Sequence, residues 1–283
     1  VGGYVGLYDA LRRAAQNAGV ELRSGDVVRS VLVEWDRAAG VSLSDGGQIR
    51  APTVVNALDG ARAFLAQIGP DLIDIEFQKA VTPPTPRYAS AKFHLALKGT
   101  PRDGSTKLNL SRRLVCALDR NALRRAYHEA RSGGVASDLL MELVFPSAFD
   151  EGWAPPNGQL GVGWVHPAPF FDRDPDDFRE ALRAAILKTF ERVAPGMEER
   201  LEAVDIATPA DMAAASGMPA TTFASAGAAP DEARRARIAI NASGVGGLFF
   251  CGPESHVGRS VSGAPGRRAG KDAAKYARRK RAA

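Results

Sequence analysis

Near the end of the chain, Gly247-Leu-Phe-Phe-Cys-Gly-Pro-Glu-Ser-His-Val-Gly-Arg-Ser-Val-Ser-Gly-Ala-Pro-Gly-Arg267 decides how the rest is read. Leu248 to Cys251 is a short apolar run closed by Gly252, which predicts a buried strand because it is too short for a helix. A loop with Gly258, Gly263 and Gly266 follows, and an alanine-rich helix is predicted from about Ala269. Strand, glycine-bearing loop and helix start form a geometry that accepts phosphate. The missing Cβ lets backbone approach a ligand, and the first N–H groups of a helix have no intrahelical partner. The same spacing also serves an ordinary strand-to-helix turn in an α/β core, so the glycines alone leave both readings open.

The full stretch says more than its glycines. It resembles the C-terminal flavin-binding segment of the phytoene desaturase-like FAD oxidoreductases, in particular their pyridine nucleotide-disulfide oxidoreductase domain 2 branch. That pattern reads roughly G-L-Y-L-C-G-x-G-x-H-P-G-G-G-V-x-G-A-x-G-R-N-A-A. Gly247, Leu248, Cys251, Gly252, His256, Gly258, Val261, Gly263, Ala264, Gly266 and Arg267 fall in register with it without a gap. The resemblance implies that Gly252, His256, Gly258, Val261, Gly263 and Ala264 line an FAD site. Glu254, Arg259 and Ser260 replace small residues of the pattern, and Val257 replaces its proline. Backbone that hugs a flavin tolerates little added bulk. The departures therefore favour an alternative, a non-catalytic remnant that serves as a binding or assembly partner.

At 283 residues the chain is long enough for one large or two modest domains with a good core. Its 45% hydrophobic and 24% charged residues are those of a soluble globular protein, and no apolar run approaches the length of a membrane span. Val1-Gly-Gly-Tyr4 has neither an initiator Met nor a basic-plus-apolar signal pattern, and reads as the interior of a longer protein. Cys116 and Cys251 each sit in an apolar stretch, which suggests two buried thiols in a reducing, cytoplasmic setting. The formal charge of +5 is unevenly spread: residues 267–283 hold eight of the 37 Lys/Arg and only Asp272 of the 32 acids, leaving 29 against 31 elsewhere. That basic tail suits a solvated helix end, its cations at the negative pole of the helix dipole, or peripheral contact with an anionic membrane surface. No nucleic-acid motif accompanies it, so nucleic acid is not an expected partner.

In chain order, Leu7, Leu11, Ala15 and Ala18 form the single apolar stripe of a helix, with Gly19 as its stop. Val20 to Arg23, Val27 to Trp35, and Gly40 to Leu43 read as strands, with Val31, Val33 and Trp35 on one half-buried face. Asp45-Gly46-Gly47 predicts a hairpin turn, and Gln48 to Asn56 a returning strand. Helix, strand, hairpin and a strand ending in Asn-Ala resemble the middle of the same family's FAD domain, written G-G-M-G-x-L-x-x-A-L and later V-V-S-N-A-D. The resemblance implies that backbone at Val28 meets the adenine and that the Asn56-Ala57 turn lies near the flavin. From the residue alone, Asn56 at a strand end is a turn former bonded to its own backbone.

Helical segments over 58–80, broken at Gly69-Pro70, lead to Thr82-Pro-Pro-Thr-Pro86, which marks a boundary. Tyr88 to Leu97, Leu108 to Leu118, Leu139 to Phe145 and Leu160 to Val165 are predicted strands. Asp119 predicts a helix start ended by Gly133-Gly134, and Asp174-Pro175 another, with Phe178, Leu182, Ile186, Phe190 and Val193 on one face and Pro195-Gly196 as its stop. The fold class is thus mixed α/β (α+β). Residues 1–59 and 211–283 are expected to form part of a Rossmann-like FAD domain lacking its N-terminal βαβ. Residues 60–210 are expected to form a substrate-binding lobe with a mixed or antiparallel sheet. Matches at Ala154-Pro155-Pro156 and at Thr208-Pro209-x-Asp211 extend the resemblance. Where the family has an Asn-Ile-Phe-His-Gly-Glu run, Ala220 to Ser225 keeps only Phe223.

Other chemistry finds no support. His94, His128, His166 and His256 lack metal-ligand spacing, and no metal site is expected. There is no G-x-S-x-G elbow, and at Gly266 to Asp272 an aspartate stands where a phosphate loop needs Ser or Thr. The pyrophosphate-binding G-x-G-x-x-G unit has no counterpart. On its own the chain is therefore expected to bind FAD weakly or not at all, unless the other half comes from another polypeptide. The completed enzyme would take hydride from an apolar small molecule. No catalytic side chain stands out, because flavin hydride chemistry often needs no protein base.

Overall fold

The computed structural model describes residues 3–82, 88–103, 106–116, 119–171, 175–217, 244–252, 255 and 261–282. The chain divides into two units, Val1–Pro83 with Ala228–Ala283, and Pro84–Gly227.

In the first unit, helix α1 (Gly3–Asn17) precedes an antiparallel meander of β1 (Val28–Glu34), β2 (Arg37–Leu43) and β3 (Gln48–Arg50). The predicted strand at Val20–Arg23 is instead irregular and exposed. Trp35, expected on the sheet face, lies with Asp36 in a two-residue turn, both at positive φ (52° and 57°). A tight turn of that hand matches the right-handed twist of the flanking strands, and it leaves the Trp35 ring 95% exposed. The predicted Asp45-Gly46-Gly47 turn forms, with Gly46 at φ +91° and Asp45 accepting from the Gly47 N–H at 2.8 Å.

Strand β4 (Val54–Asn56) pairs in parallel with β12 (Leu248–Phe250). A π-helical turn (Ala61–Ile68), a short 3-10 turn (Pro70–Leu72) and α2 (Ile75–Val81) follow β4. Phe64, Ile68, Ile73 and Val81 share one core with Val31, Leu248 and Phe250. This shared core moves the lobe boundary expected at residue 60 to the proline stretch after Thr82. The last helix, α6 (Ala264–Ala282), starts five residues before the predicted Ala269, because Pro265 sits in its first turn, where its missing N–H costs nothing.

The second unit is built on a five-stranded antiparallel sheet in the order β11-β5-β10-β9-β8. These strands are β5 (Tyr88–Lys98), β8 (Leu114–Cys116), β9 (Leu140–Val144), β10 (Gly158–Pro169) and β11 (Leu201–Ala207); β6 (Arg102–Asp103) and β7 (Thr106–Lys107) form a separate small hairpin. Strict alternation puts Ala89, Ala91, Phe93, Leu95 and Leu97 of β5 in the core. Gly163 makes room for Phe93: a Cβ there would come 2.2 Å from the Phe93 ring. Helix α4 (Phe178–Val193) buries Phe178, Leu182, Ile186 and Phe190 in the same core, as its periodicity predicts.

Helix α3 (Arg120–Arg131) is capped by Asp119, which accepts from the Asn121 and Ala122 N–H groups and is thereby held below the usual carboxylate range. Helix α5 (Pro209–Ser216) belongs to this unit, so the return boundary lies beyond 211. Its Thr208–Asp211 capping box gives the Thr208-Pro209-x-Asp211 match a structural reason. Burial works to raise the Asp211 carboxyl, but Thr208 and Arg179 together hold it low.

Among the described residues, no helix is long and apolar enough to cross a membrane, and no group of three or more His, Cys, Asp or Glu could hold a metal ion. Both cysteines are free, Cys116 buried and Cys251 half-buried.

Candidate functional site

The C-terminal ends of β4 and β12 form one corner of the first unit. The strands are in register with Phe250 opposite Asn56, and the Cys251 N–H donates to the Asn56 carbonyl at 2.8 Å. Asn56 does what an asparagine at a strand end is expected to do: its Oδ1 accepts from the Leu58 N–H at 3.0 Å and tightens the turn. The turn that holds Asn56 and Ala57 then crowds Gly252. A Cβ on that glycine would lie 2.0 Å from the Leu58 carbonyl oxygen and 2.4 Å from the Phe250 ring. Two predicted site segments, far apart in sequence, are thus pressed together, and glycine is required at 252 by the protein's own packing.

Val28 joins this corner through a residue that sequence reasoning missed. The Gln67 Nε2 donates to the Val28 carbonyl at 2.9 Å, and the Gln67 Oε1 accepts from Asn56 Nδ2 at 2.8 Å. One amide therefore ties the start of β1 to the end of β4. The π-turn that carries Gln67 is a rare conformation, frequent at functional sites. It also places Ala63, Phe64 and Ile68 in the core. The signal available in the sequence was a single uncharged polar residue inside the apolar run Phe64-Leu-Ala-Gln-Ile68.

Helix α6 brings Val261, Gly263 and Ala264 to the same end. Gly247 lies against Tyr276, whereas Phe249 packs with Ala269 and Ala273, so the helix runs back along β12. Its first turn therefore rises beside the C-terminal end of the strand, the place where open α/β sheets bind ligands. Gly263 (φ +66°) opens the helix and accepts from the Arg267 N–H at 3.0 Å, and a Cβ on it would meet open space. Val261 is 68% exposed. The Ala264 N–H is engaged by Ser262 Oγ at 3.3 Å and Pro265 has none, so the Gly266 N–H is the first-turn donor without a partner among the described residues. An anionic group there would meet that N–H and the positive pole of the helix. Burial pushes the Cys251 thiol up, so it stays neutral beside the site. His256 and Gly258 lie outside the described residues.

The start of α6 thus presents an N–H donor and the positive pole of a helix to an anionic group, whereas the space that a Gly252 side chain would take is filled by the protein itself.

The fold is one found in oxidoreductases. An oxidoreductase structure from Methanosarcina mazei superposes with a TM-score of 0.56 at 18% identity, covering 89% of this chain and 49% of that one. A putrescine oxidase variant redesigned for cofactor binding superposes at 0.53 with 15% identity, covering 95% and 52%. Among curated proteins, the chain is similar to pyridine nucleotide-disulfide oxidoreductase domain-containing protein 2 of Mus musculus, 25% identical over 289 residues and 95% of this chain. The Rattus norvegicus protein of the same name is 24% identical over 287 residues. The resemblance to the pyridine nucleotide-disulfide oxidoreductase domain 2 branch is thereby borne out. The chain spans about half the length of these relatives, 49% in each case. No family model matches it.

Proposed function

We propose that this chain is the C-terminal portion of an FAD-dependent oxidoreductase, completed by an N-terminal nucleotide-binding half in the same or another polypeptide. One observation carries the reading: the Asn56-Ala57 turn, Gly252 and the start of α6 converge at the C-terminal ends of the parallel pair. Those are the positions at which the sequence resembles a flavin-binding segment. When bound, FAD would supply the acceptor for hydride from an apolar substrate. Gln67 fixes the Val28 carbonyl and the Asn56 side-chain amide in place, so the backbone at Val28 and the side chain at Asn56 are set before a ligand arrives. The Gly266 N–H and the α6 dipole would hold an anionic part of the cofactor. Helix α1 buries none of its residues, and Tyr4, Tyr8 and Leu11 are 75%, 63% and 63% exposed. The N-terminal half is the proposed cover for that stripe.

A second reading, a non-catalytic binding or assembly partner, is favoured by Gly252, whose lack of a side chain is explained by internal packing without a ligand. The two separate on one measurement. The chain is co-expressed with the coding region upstream of Val1, purified, and its flavin absorbance recorded. Stoichiometric flavin that is lost in Gln67→Leu or Gly263→Val supports the enzyme. A colourless complex that gains no flavin on mixing with FAD overturns it and leaves the binding partner.

A further inference from the structure

The face of the five-stranded sheet opposite its core carries a set of groups that the cofactor corner does not use. Ser90, Lys92 and His94 of β5 lie on it by alternation, as do Trp164 and His166 of β10 and Glu142 of β9. Trp164 stands at the centre of one row, in register with Lys92 on one side and Glu142 on the other. Two residues along the strand, the His166 ring is nearly parallel to the indole, with centroids 6.5 Å apart and planes 16° apart.

The polar groups here are unequally satisfied. Glu142 accepts from Arg113 at 3.2 Å. Ser90, only 7% exposed, has its hydroxyl 2.7 Å from His166 Nδ1. Among the described residues that hydroxyl has no other acceptor, so donation to Nδ1 satisfies it and leaves the ring proton on Nε2. Burial pushes the His166 pKa down, against Glu142, which pulls it up, so the ring is neutral at pH 7. Neither Nε2 of His166 nor the Lys92 ammonium has a partner among the described residues. Glu142 is answered by Arg113 and Asp205 by His94 at 3.1 Å, which leaves the Lys92 ammonium and the His166 Nε2–H as the groups beside the indole without a partner among the described residues.

We propose that Lys92, Trp164 and His166 form a binding site for a flat, apolar small molecule that ends in a carboxylate. The ring system of the ligand rests on the indole, its carboxylate takes the Lys92 ammonium and the His166 Nε2–H, and Ser90 holds the imidazole in the donor tautomer. Lys92 supplies the charge preference and the indole the preference for flat bodies. That such a ligand is the substrate rests on the oxidoreductase reading; that it binds does not, since every group named belongs to the second unit.

The test is therefore run on the full chain without flavin, by calorimetric titration with 2-naphthoate and, in parallel, 2-naphthylmethylamine. The expected result is saturable binding of the carboxylate at one site and none of the amine. Lys92→Ala should weaken binding about tenfold, the scale of one lost charge-assisted hydrogen bond, and Trp164→Leu by a similar factor, with Trp164→Phe restoring most of it. Thermal melts of each variant guard against misfolding, and if Trp164→Leu does not fold, Lys92→Ala alone decides. Absence of saturable binding, equal affinity for the amine, or an affinity untouched by Lys92→Ala overturns the site. A failure of flavin to bind in the co-expression experiment leaves this result standing.

Discussion

The two units spend their apolar residues differently. In the second, Phe93, Leu95, Leu97, Leu143, Phe145, Ile186 and Phe190 are at most 1% exposed and belong to one cluster between a sheet face and helices. In the first, the clusters are smaller and, among the described residues, a well-formed amphipathic helix, α1, has none of its residues buried. A helix whose apolar face is uncovered keeps its pattern but gains little stability from it, since most helical stability in proteins comes from packing that face. The difference teaches that the second unit concentrates its apolar residues in one core, whereas the first leaves an apolar helix face exposed.

That contrast can be broken at several points. The largest effect belongs to the second unit: Phe190→Ala should cost about 3–5 kcal/mol by denaturant titration, because its ring is wholly buried. A loss under about 1 kcal/mol would show that the core is looser than described. Next comes Gln67→Leu in the first unit, which strands the Val28 carbonyl and the Asn56 amide. A cost of about 1–3 kcal/mol is expected, together with faster hydrogen exchange at Cys251, whose N–H bonds Asn56.

The third prediction concerns pH. The folded-state pKa of His166 lies below the ordinary 6.5, so between the two values the unfolded chain binds more protons. Stability should therefore fall as pH drops through 6.5 and level off below the folded value. In His166→Gln the urea midpoint should lose that part of its slope, and an unchanged profile would locate the titration elsewhere. The smallest effect is expected at Leu11→Ser, within about 0.5 kcal/mol in this chain because the side chain is exposed. In the presence of the N-terminal half, the same change should weaken association, measured by co-purification.

Much of this was legible in the residues. Helix α4 announced itself through Phe178, Leu182, Ile186 and Phe190, and β5 through its alternation, because both periods follow directly from one buried face. The corner of the candidate site was legible only through the resemblance, since nothing local says that Asn56 meets Cys251 across some two hundred intervening residues. Trp35 misled because alternation in Val31, Val33 and Trp35 ran one residue too far. The turn there uses Trp-Asp, not the glycine or asparagine that normally advertises positive φ. Gln67 escaped because a π-turn has no sequence period of its own and its two partners are distant. The strand order β11-β5-β10-β9-β8 was beyond reach for the same reason, as antiparallel neighbours need not be consecutive.

Helix α6 has a practical corollary. Ala269 and Ala273 are turned inward, while Arg267, Arg268, Lys271, Lys275, Arg278, Arg279 and Lys280 are exposed along a body that is otherwise close to neutral. On a cation-exchange column the molecule should be captured through this one end. Clipping by trypsin within the helix should then shift the retained material into the flow-through, a simple reporter of how firmly the last nineteen-residue segment is seated.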